Sequence, residues 1–449
     1  MYEADAGAMS IGLLGDIAPT RRLAVFREPR FLRLRDLLNS VDAVYCNLEG
    51  SVHRYHDGGH AQRSSGGSYV TVEPHLLEDL KWLGIKMLSC GSTHADDYGP
   101  EGILKTIDYL DAAGIVHAGS GRHLAEARSP GFLDTARGRV ALIATTAHFN
   151  PGGRAGEQRR ETLGYPGVNA IRHHAVYEVD DATMALVRQL GDAIGWDAEL
   201  SRRTALADRL SDFGNGSYNL LDRAFVPGAT LAFKRYADEA DIAANVSQVA
   251  YAKAMADRVI VSMHSHDLGG PSYLTATSNG KLEDPADFVV ELAKRSIDAG
   301  ADAFAGHGPG RFLGIEIYRG RPIFYGLGSF IAELETVRFL PEQSYERYGL
   351  GQEATPVDFV ENRYGRMEAA SPRADRGGAV AVCDFDGPDV TEIRLYPIQL
   401  GAPQARSQRG RPMLAEPEAG ERTIEQIAVL SAKYGTTVTS RDGIGVIRP

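Results

Sequence analysis

Seven apolar runs along the chain each end on a polar residue suited to binding a metal or moving a proton. IGLLGD ends at Asp16, VDAVYCNLE at Glu49, IKMLSCGSTH at His94 and VALIATTAH at His148. VIVSMHSH ends on His264 and His266, ADAFAGH on His307, and PIFYGLGS on Ser329. Runs that are apolar at nearly every position predict strands buried on both faces of a sheet. Open α/β sheets bind ligands at the carboxyl ends of their strands. The repeated ending favours one site built from Asp, Glu and several His over a set of unrelated polar caps.

Amphipathic helices are predicted between these runs. FREPRFLRLRDLLNS and EPHLLEDLKWLG have helical spacing, and PEGILKTIDYLDAAG has Pro100 near its start and Gly114 just past its end. SVHRYHDGGHAQRSSGGS reads as a mobile loop. The βαβα rhythm predicts an α/β sheet protein. Residues 151–239 break it. Within them DDATMALVRQLGDAIG and ELSRRTALADRLSDFG read as helices, and the whole reads as a helical and loop insertion lying over the site. FLGIEIYRGRPIFYGLGSF reads as a hairpin turning at Arg319-Gly320, and AVAVCDFDGPDVTEIRLYPIQL as a strand pair turning at Asp386-Gly387. One domain is expected over 9–400. The remainder, 401–449, reads as a polar tail ending in a helix, ERTIEQIAVLSAKYG.

Composition narrows the function classes. The formal charge of −11 and the lack of a long Lys/Arg run argue against a nucleic-acid or acidic-membrane surface. The three cysteines show no paired spacing, which fits a reducing compartment. MYEADAGAMS has no apolar core of a signal peptide, and no run reaches ~18 apolar residues. A cytoplasmic protein without a membrane anchor is the expectation, with no prediction of oligomeric state. Asp and Glu are hard oxygen ligands and His an imidazole ligand, a mixed set that suits Mn, Fe or Zn.

Several phrases resemble the CapA family, the poly-γ-glutamate capsule synthesis proteins, relatives of the calcineurin-like metallophosphoesterases. They are GDIAPTR (15–21), NLEG (47–50), STHADDYGPEGILKTIDYLDAAGI (92–115), SMHSH (262–266) and GHGPGRFLGIEIYRGRPIFYGLGSFI (306–331). The resemblance implies a four-layer α/β/β/α sandwich with a metal centre at the strand ends. It implies Asp16, Glu49, His264 and His307 as metal ligands, with His266 a further candidate. It makes His94 the acid/base and Asp97 the carboxylate that orients it. Arg21 is matched to a family arginine that could hold a substrate carboxylate or phosphate, and Asn47 and Thr93 are grouped with it at the substrate.

Departures from the pattern matter. The superfamily's first metal position takes a histidine two residues after the first aspartate, where this chain has Ala18. A second histidine common after the one matching His307 is Gly310, and the asparagine before the acid/base histidine is Thr93. The serine and asparagine of the family's YSLGN are Gly326 and Ser329. One ion is therefore expected in preference to two. A two-metal phosphoester mechanism is correspondingly disfavoured.

The resulting expectation is a metal-dependent hydrolase or an epimerase/lyase acting at a carbonyl of a peptide, glutamyl or other carboxylate-bearing small molecule. Non-catalytic capsule polymer assembly and a true metallophosphoesterase are the alternatives. His148 is expected to be structural, and His53, His56 and His60 to be solvated loop residues. Arg172, His173 and His174 are expected on a solvated face of the insertion. The Gly-rich segments lack the phosphate-loop pattern.

Overall fold

The computed structural model describes residues 7–449 apart from 58, 64–67, 206–215, 222, 270–282, 371–377 and 402–403. Two sheets carry the fold. The larger has ten strands and is parallel through Met9–Ala18, Ala43–Leu48, Met87–Ser89 and Val116–Ala118. On the other side of Met9–Ala18 it continues antiparallel through Gly378–Asp386 and Asp389–Gln399. The smaller has six strands around Gly138–Thr146, Arg258–His264 and Ala303–His307, again parallel.

Neighbouring side chains of one strand point to opposite faces, so each buried strand feeds two cores. Ile11, Leu13 and Tyr45 of the larger sheet pack against Leu142, Ala144, Ile260 and Ala305 of the smaller one. Leu14, Val44, Cys46 and Leu48 face the other way, onto Phe31, Leu34, Leu80 and Leu110 of helices Pro29–Asn39, Leu77–Trp82 and Gly99–Ala113. On the far side of the smaller sheet, Ile143, Val259 and Val261 meet Ile242 and Val249 of Glu239–Lys253, and Phe288 and Leu292 of Asp287–Asp298. These three cores define the four-layer α/β/β/α sandwich.

Most predicted elements form. Gly114 takes the left-handed conformation (φ 66°) just past Gly99–Ala113, where a side chain would be strained. The hairpin turns at Arg319 and Gly320 (φ 50° and 72°), and Gly378–Asp386 pairs with Asp389–Gln399. Ser329 differs from its reading. The run preceding it splits, with Arg321–Phe324 in the smaller sheet and Ser329–Ala332 crossing to pair parallel with Met9–Ala18 in the larger. Gly328 (φ 72°) makes the turn between them.

Two further readings change. The inserted segment is not only helical. Besides Asp181–Ala193 and Trp196–Ala205 it carries a four-stranded sheet, in the order Tyr218–Leu220, Arg223–Pro227, His173–Val179, Ala232–Ala237. Its strands are short and half-buried, so their sequence lacked the continuous apolar signal of the core. The second helix from residue 206 onward lies outside the described residues. The segment after 400 is no detached tail. Met413–Leu414 and Ile444–Ile447 both pair with Asp389–Gln399, and Ile427 of helix Pro417–Ala432 packs into the inter-sheet core. Among the described residues, no helix is long and apolar enough to cross a membrane.

Candidate functional site

The parallel strands of both sheets end at one edge, and the site forms where those ends meet. Asp16 is the register partner of Asn47 on one side and Ser329 on the other, at irregularities in both ladders. Such bulges re-aim side chains. Gly15 makes the local packing possible, because a Cβ there would lie 2.1 Å from the Gly328 carbonyl oxygen. That carbonyl accepts from the Asp16 N–H at 2.9 Å. Across the gap, His264 and His307 are register partners at the ends of adjacent strands of the smaller sheet.

Asp16, Glu49 and His264 each bring a ligand atom within 4.8 Å of the others. His264 Nδ1 stands 2.6 Å from Glu49 Oε1. The Asn47 amide donates to Asp16 Oδ1 at 2.9 Å and to Glu49 Oε1 at 3.3 Å, so one donor serves two converging carboxylates. Asp16 is buried, which opposes its charge, yet His307, His264 and Asn47 together hold it below the usual carboxylate range. His307 lies 3.0 Å from Asp16 through Nδ1, while its Nε2 meets the Tyr45 hydroxyl at 2.7 Å.

These residues fit a divalent cation. Two carboxylates close enough to share a donor concentrate negative charge at a buried strand end. Asn47 Oδ1 is buried beside them with no hydrogen-bond partner, although such groups are normally satisfied. His307 itself stands outside the group of three, next to Asp16. His266 also stands outside it. Its ring packs 5.0 Å from that of His264, and burial pushes its pKa well below the ordinary value.

His94 lies in the turn between Met87–Ser89 and Gly99–Ala113. Its Nδ1 is 2.7 Å from Oδ2 of the buried Asp97, and its Nε2 is 4.0 Å from Glu49 Oε2. Asp97 thus holds the ring with Nε2 turned to the ligand group. Burial pushes the His94 pKa down, but the charge and hydrogen bond of Asp97 and the charge of Glu49 outweigh it and lift it to about 9. A divalent cation beside Glu49 would oppose that lift.

Three residues expected at the substrate have other employment. Each guanidinium nitrogen of Arg21 is engaged within the protein: Nε by Glu333 at 2.7 Å, the other two by the carbonyls of Ser407 and Arg409. Arg21 is therefore a clamp between the first strand's loop and the C-terminal segment. Asn47 is fully buried and donates to Asp16 and Glu49. Thr93 Oγ1 lies 2.9 Å from His264 Nε2 and 3.4 Å from His266 Nε2, joining the two histidines.

Other residues, read from the sequence as structural or solvated, also come near the site. His148 stacks on His266 at 5.0 Å, and its Nδ1 accepts the His266 N–H at 3.2 Å. Burial lowers its pKa to about 4. Asp267 lies 3.7 Å from His148 and is held by His173 at 2.9 Å and Arg235 at 2.7 Å, both from the inserted sheet. His173 and Arg172 are thus not on a solvated face; Arg172 grips the buried Asp241 at 2.7 Å. His53 is likewise buried, edge-on to Tyr98 at 4.4 Å. Only contacts across distant segments reveal these roles, and no local motif encodes them.

A paired-sheet sandwich with an Asp/Glu/His group at its strand ends is the architecture of a metallophosphoesterase-like protein. The sequence pattern of the family described as "Bacterial capsule synthesis protein PGA_cap" matches residues 10–334, and the chain belongs to that family. It is 32% identical over 447 residues to the "Uncharacterized protein y4sH" of Sinorhizobium fredii, covering 97% of this chain and 92% of that one. It is 26% identical over 299 residues to a "Probable polyglutamine synthesis accessory protein" of Mycobacterium tuberculosis, covering 66% and 57% of the two chains. It is 34% identical over 121 residues to the "PGA biosynthesis protein CapA" of Bacillus subtilis, covering 26% and 29%.

Proposed function

We propose that this chain is a metal-dependent enzyme acting at a carbonyl of a peptide, glutamyl or other carboxylate-bearing substrate. The observation that carries this reading is the meeting of the Asp16, Glu49 and His264 ligand atoms with a His94 ring held by Asp97 and lying 4.0 Å from Glu49. A bound Mn, Fe or Zn ion would supply Lewis acidity toward a carbonyl or water oxygen. His94 Nε2 faces the same space and can take or return a proton there, with Asp97 fixing its tautomer and stabilising its charged form. Amide or ester hydrolysis and proton transfer at an α-carbon, as in epimerisation, both need that pairing. Ala18 and Gly310 remove two histidines that a matched pair of ions would use, which favours one ion.

A second reading, an accessory role in polymer synthesis without turnover, is favoured by the names of the Mycobacterium and Bacillus relatives. Elemental analysis of the purified protein, with Asp16→Ala and His264→Ala beside it, separates the readings. The enzyme reading expects about one ion per chain, lost in both variants. It also expects turnover of a glutamyl amide or an epimerisable peptide, falling ~10²-fold or more in His94→Ala. No ion after reconstitution removes the enzyme reading and leaves the accessory one. Two ions with turnover of an aryl phosphodiester would point instead to phosphoester chemistry.

A further inference from the structure

Tyr45 lies in the inter-sheet core, where a phenylalanine would fill the same space. It is fully buried, and a hydroxyl withdrawn from water destabilises the fold unless it is hydrogen-bonded. The hydroxyl crosses from Ala43–Leu48 of the larger sheet to two adjacent strands of the smaller one. There it meets Ser262 Oγ and, at 2.7 Å, His307 Nε2. The other ring nitrogen of His307, Nδ1, lies 3.0 Å from Asp16 Oδ1, back in the larger sheet. Tyr45 and Asp16, on neighbouring strands, thus hold one histidine of the opposite sheet between them.

A count of hydrogens gives this contact a direction. A tyrosine hydroxyl has one hydrogen to donate and lone pairs with which to accept. That hydrogen goes to Ser262 Oγ. The bond to His307 then runs the other way, from the Nε2–H to the Tyr45 oxygen. A neutral imidazole with its hydrogen on Nε2 carries a lone pair on Nδ1. That lone pair faces Asp16 Oδ1, which already accepts from Asn47 at 2.9 Å. The contact is favourable only with a positive charge there, either a second ring proton or a cation bound by Asp16. His264 repeats the arrangement, with Nε2 2.9 Å from the Thr93 hydroxyl and Nδ1 2.6 Å from Glu49 Oε1. Histidines at metal centres have their far nitrogen held in this way, which fixes both tautomer and ring orientation.

We propose that Tyr45 is a positioning residue of the metal centre, whose hydroxyl holds His307 with its hydrogen on Nε2 and its Nδ1 lone pair turned to Asp16 and the cation there. This rests on the reading that Asp16 binds a metal ion. It adds the residue that couples the two sheets at that ion.

The test is calorimetric titration of Mn²⁺ into the full chain as wild type, Tyr45→Phe, His307→Ala and the double variant, each checked for folding by circular dichroism. Tyr45→Phe keeps the ring and should weaken Mn²⁺ binding about tenfold or more. In the His307→Ala background the same change should alter affinity by no more than about twofold, because Tyr45 acts through His307. Equal affinity in wild type and Tyr45→Phe overturns the proposal alone. An undiminished loss in the His307→Ala background also overturns it and makes the hydroxyl a packing feature. Failure of wild type to bind Mn²⁺ overturns the metal reading and this proposal with it. Histidine ¹⁵N spectra of Zn²⁺-loaded wild type give a readout that does not depend on any variant folding, apart from His307→Ala used to assign the signal. A hydrogen on His307 Nε2 supports the proposal, and a hydrogen on Nδ1 overturns it.

Discussion

Arg21 and Glu333 are joined by a 2.7 Å ion pair that links the loop after the first strand to the loop after Ser329–Ala332. The Glu333 side chain is fully buried and also accepts from the backbone N–H groups of Thr20 and Arg21. Removing one partner of a buried pair strands a charge and costs about 3–5 kcal/mol. Arg21→Ala should lower the stability read from urea unfolding by about that much while leaving Mn²⁺ affinity of the folded protein within about twofold. Glu333→Gln in the Arg21→Ala background should recover part of the loss by removing the stranded charge. A normal urea midpoint with lost substrate binding would return Arg21 to the site.

Gly15 shows why the residue before Asp16 has no side chain. An added Cβ would meet the Gly328 carbonyl oxygen at 2.1 Å, a backbone atom with no rotamer of its own to move. Gly15→Ala should push the Ser329–Ala332 strand away from Asp16. The expected outcome is a stability loss of about 1–3 kcal/mol together with metal binding weakened at least about tenfold. Calorimetric Mn²⁺ titration checks this, and unchanged affinity would refute it.

Asp267 links the inserted sheet to the site. It receives Arg235 and His173 from that sheet and lies beside His148, on which the His266 ring is stacked. Asp267→Ala leaves Arg235 without its carboxylate in a mostly buried place, again a loss of about 3–5 kcal/mol. Hydrogen exchange should speed up first in His173–Val179 and Ala232–Ala237, and least in Arg258–Ser262. Uniform acceleration across both regions would show that the insertion is not separately anchored here.

Asp96 carries a pH signature. It is buried beside Asp97, and burial followed by that neighbouring charge raises its pKa from 3.8 to about 7. The unfolded chain gives up this proton near pH 4 and the folded chain near pH 7. The folded state therefore holds more protons in that window, and this group's contribution to stability is lost as pH rises from about 4 to about 7. Asp96→Asn keeps the size and removes the titration. It should match wild type near pH 4 and exceed it by about 2–4 kcal/mol at pH 8. A pH-independent difference between the two would remove Asp96 as the source.

The grouping of Asp16, Glu49 and His264 was legible because hydrophobic continuity and polar endings are both local properties. Asp16, Glu49 and His264 each close an apolar run, and an open sheet brings such ends to one edge. The His94–Asp97 pair was legible because a three-residue spacing in a turn keeps both side chains together. Arg21 was misread because nothing within GDIAPTR shows that Glu333, more than three hundred residues later, comes to meet it. The inserted sheet was missed for a related reason. Strands such as Arg223–Pro227 are half-exposed and carry charges, so their pairing depends on neighbours, not on a run of buried residues.

Hydrophobic continuity along the chain set the layers and the edge where the site lies, because burial on two faces demands mostly apolar strands and favours polar residues at their ends. Which charges face one another was settled only by the packing of distant segments. It drew Arg21 away to Glu333, set His307 against Asp16 and Tyr45, and wired the inserted sheet through Asp267. Those outcomes depend on distances between groups far apart in the chain. Electrostatic energy varies with that separation and with shielding from water, and neither quantity is written in local sequence.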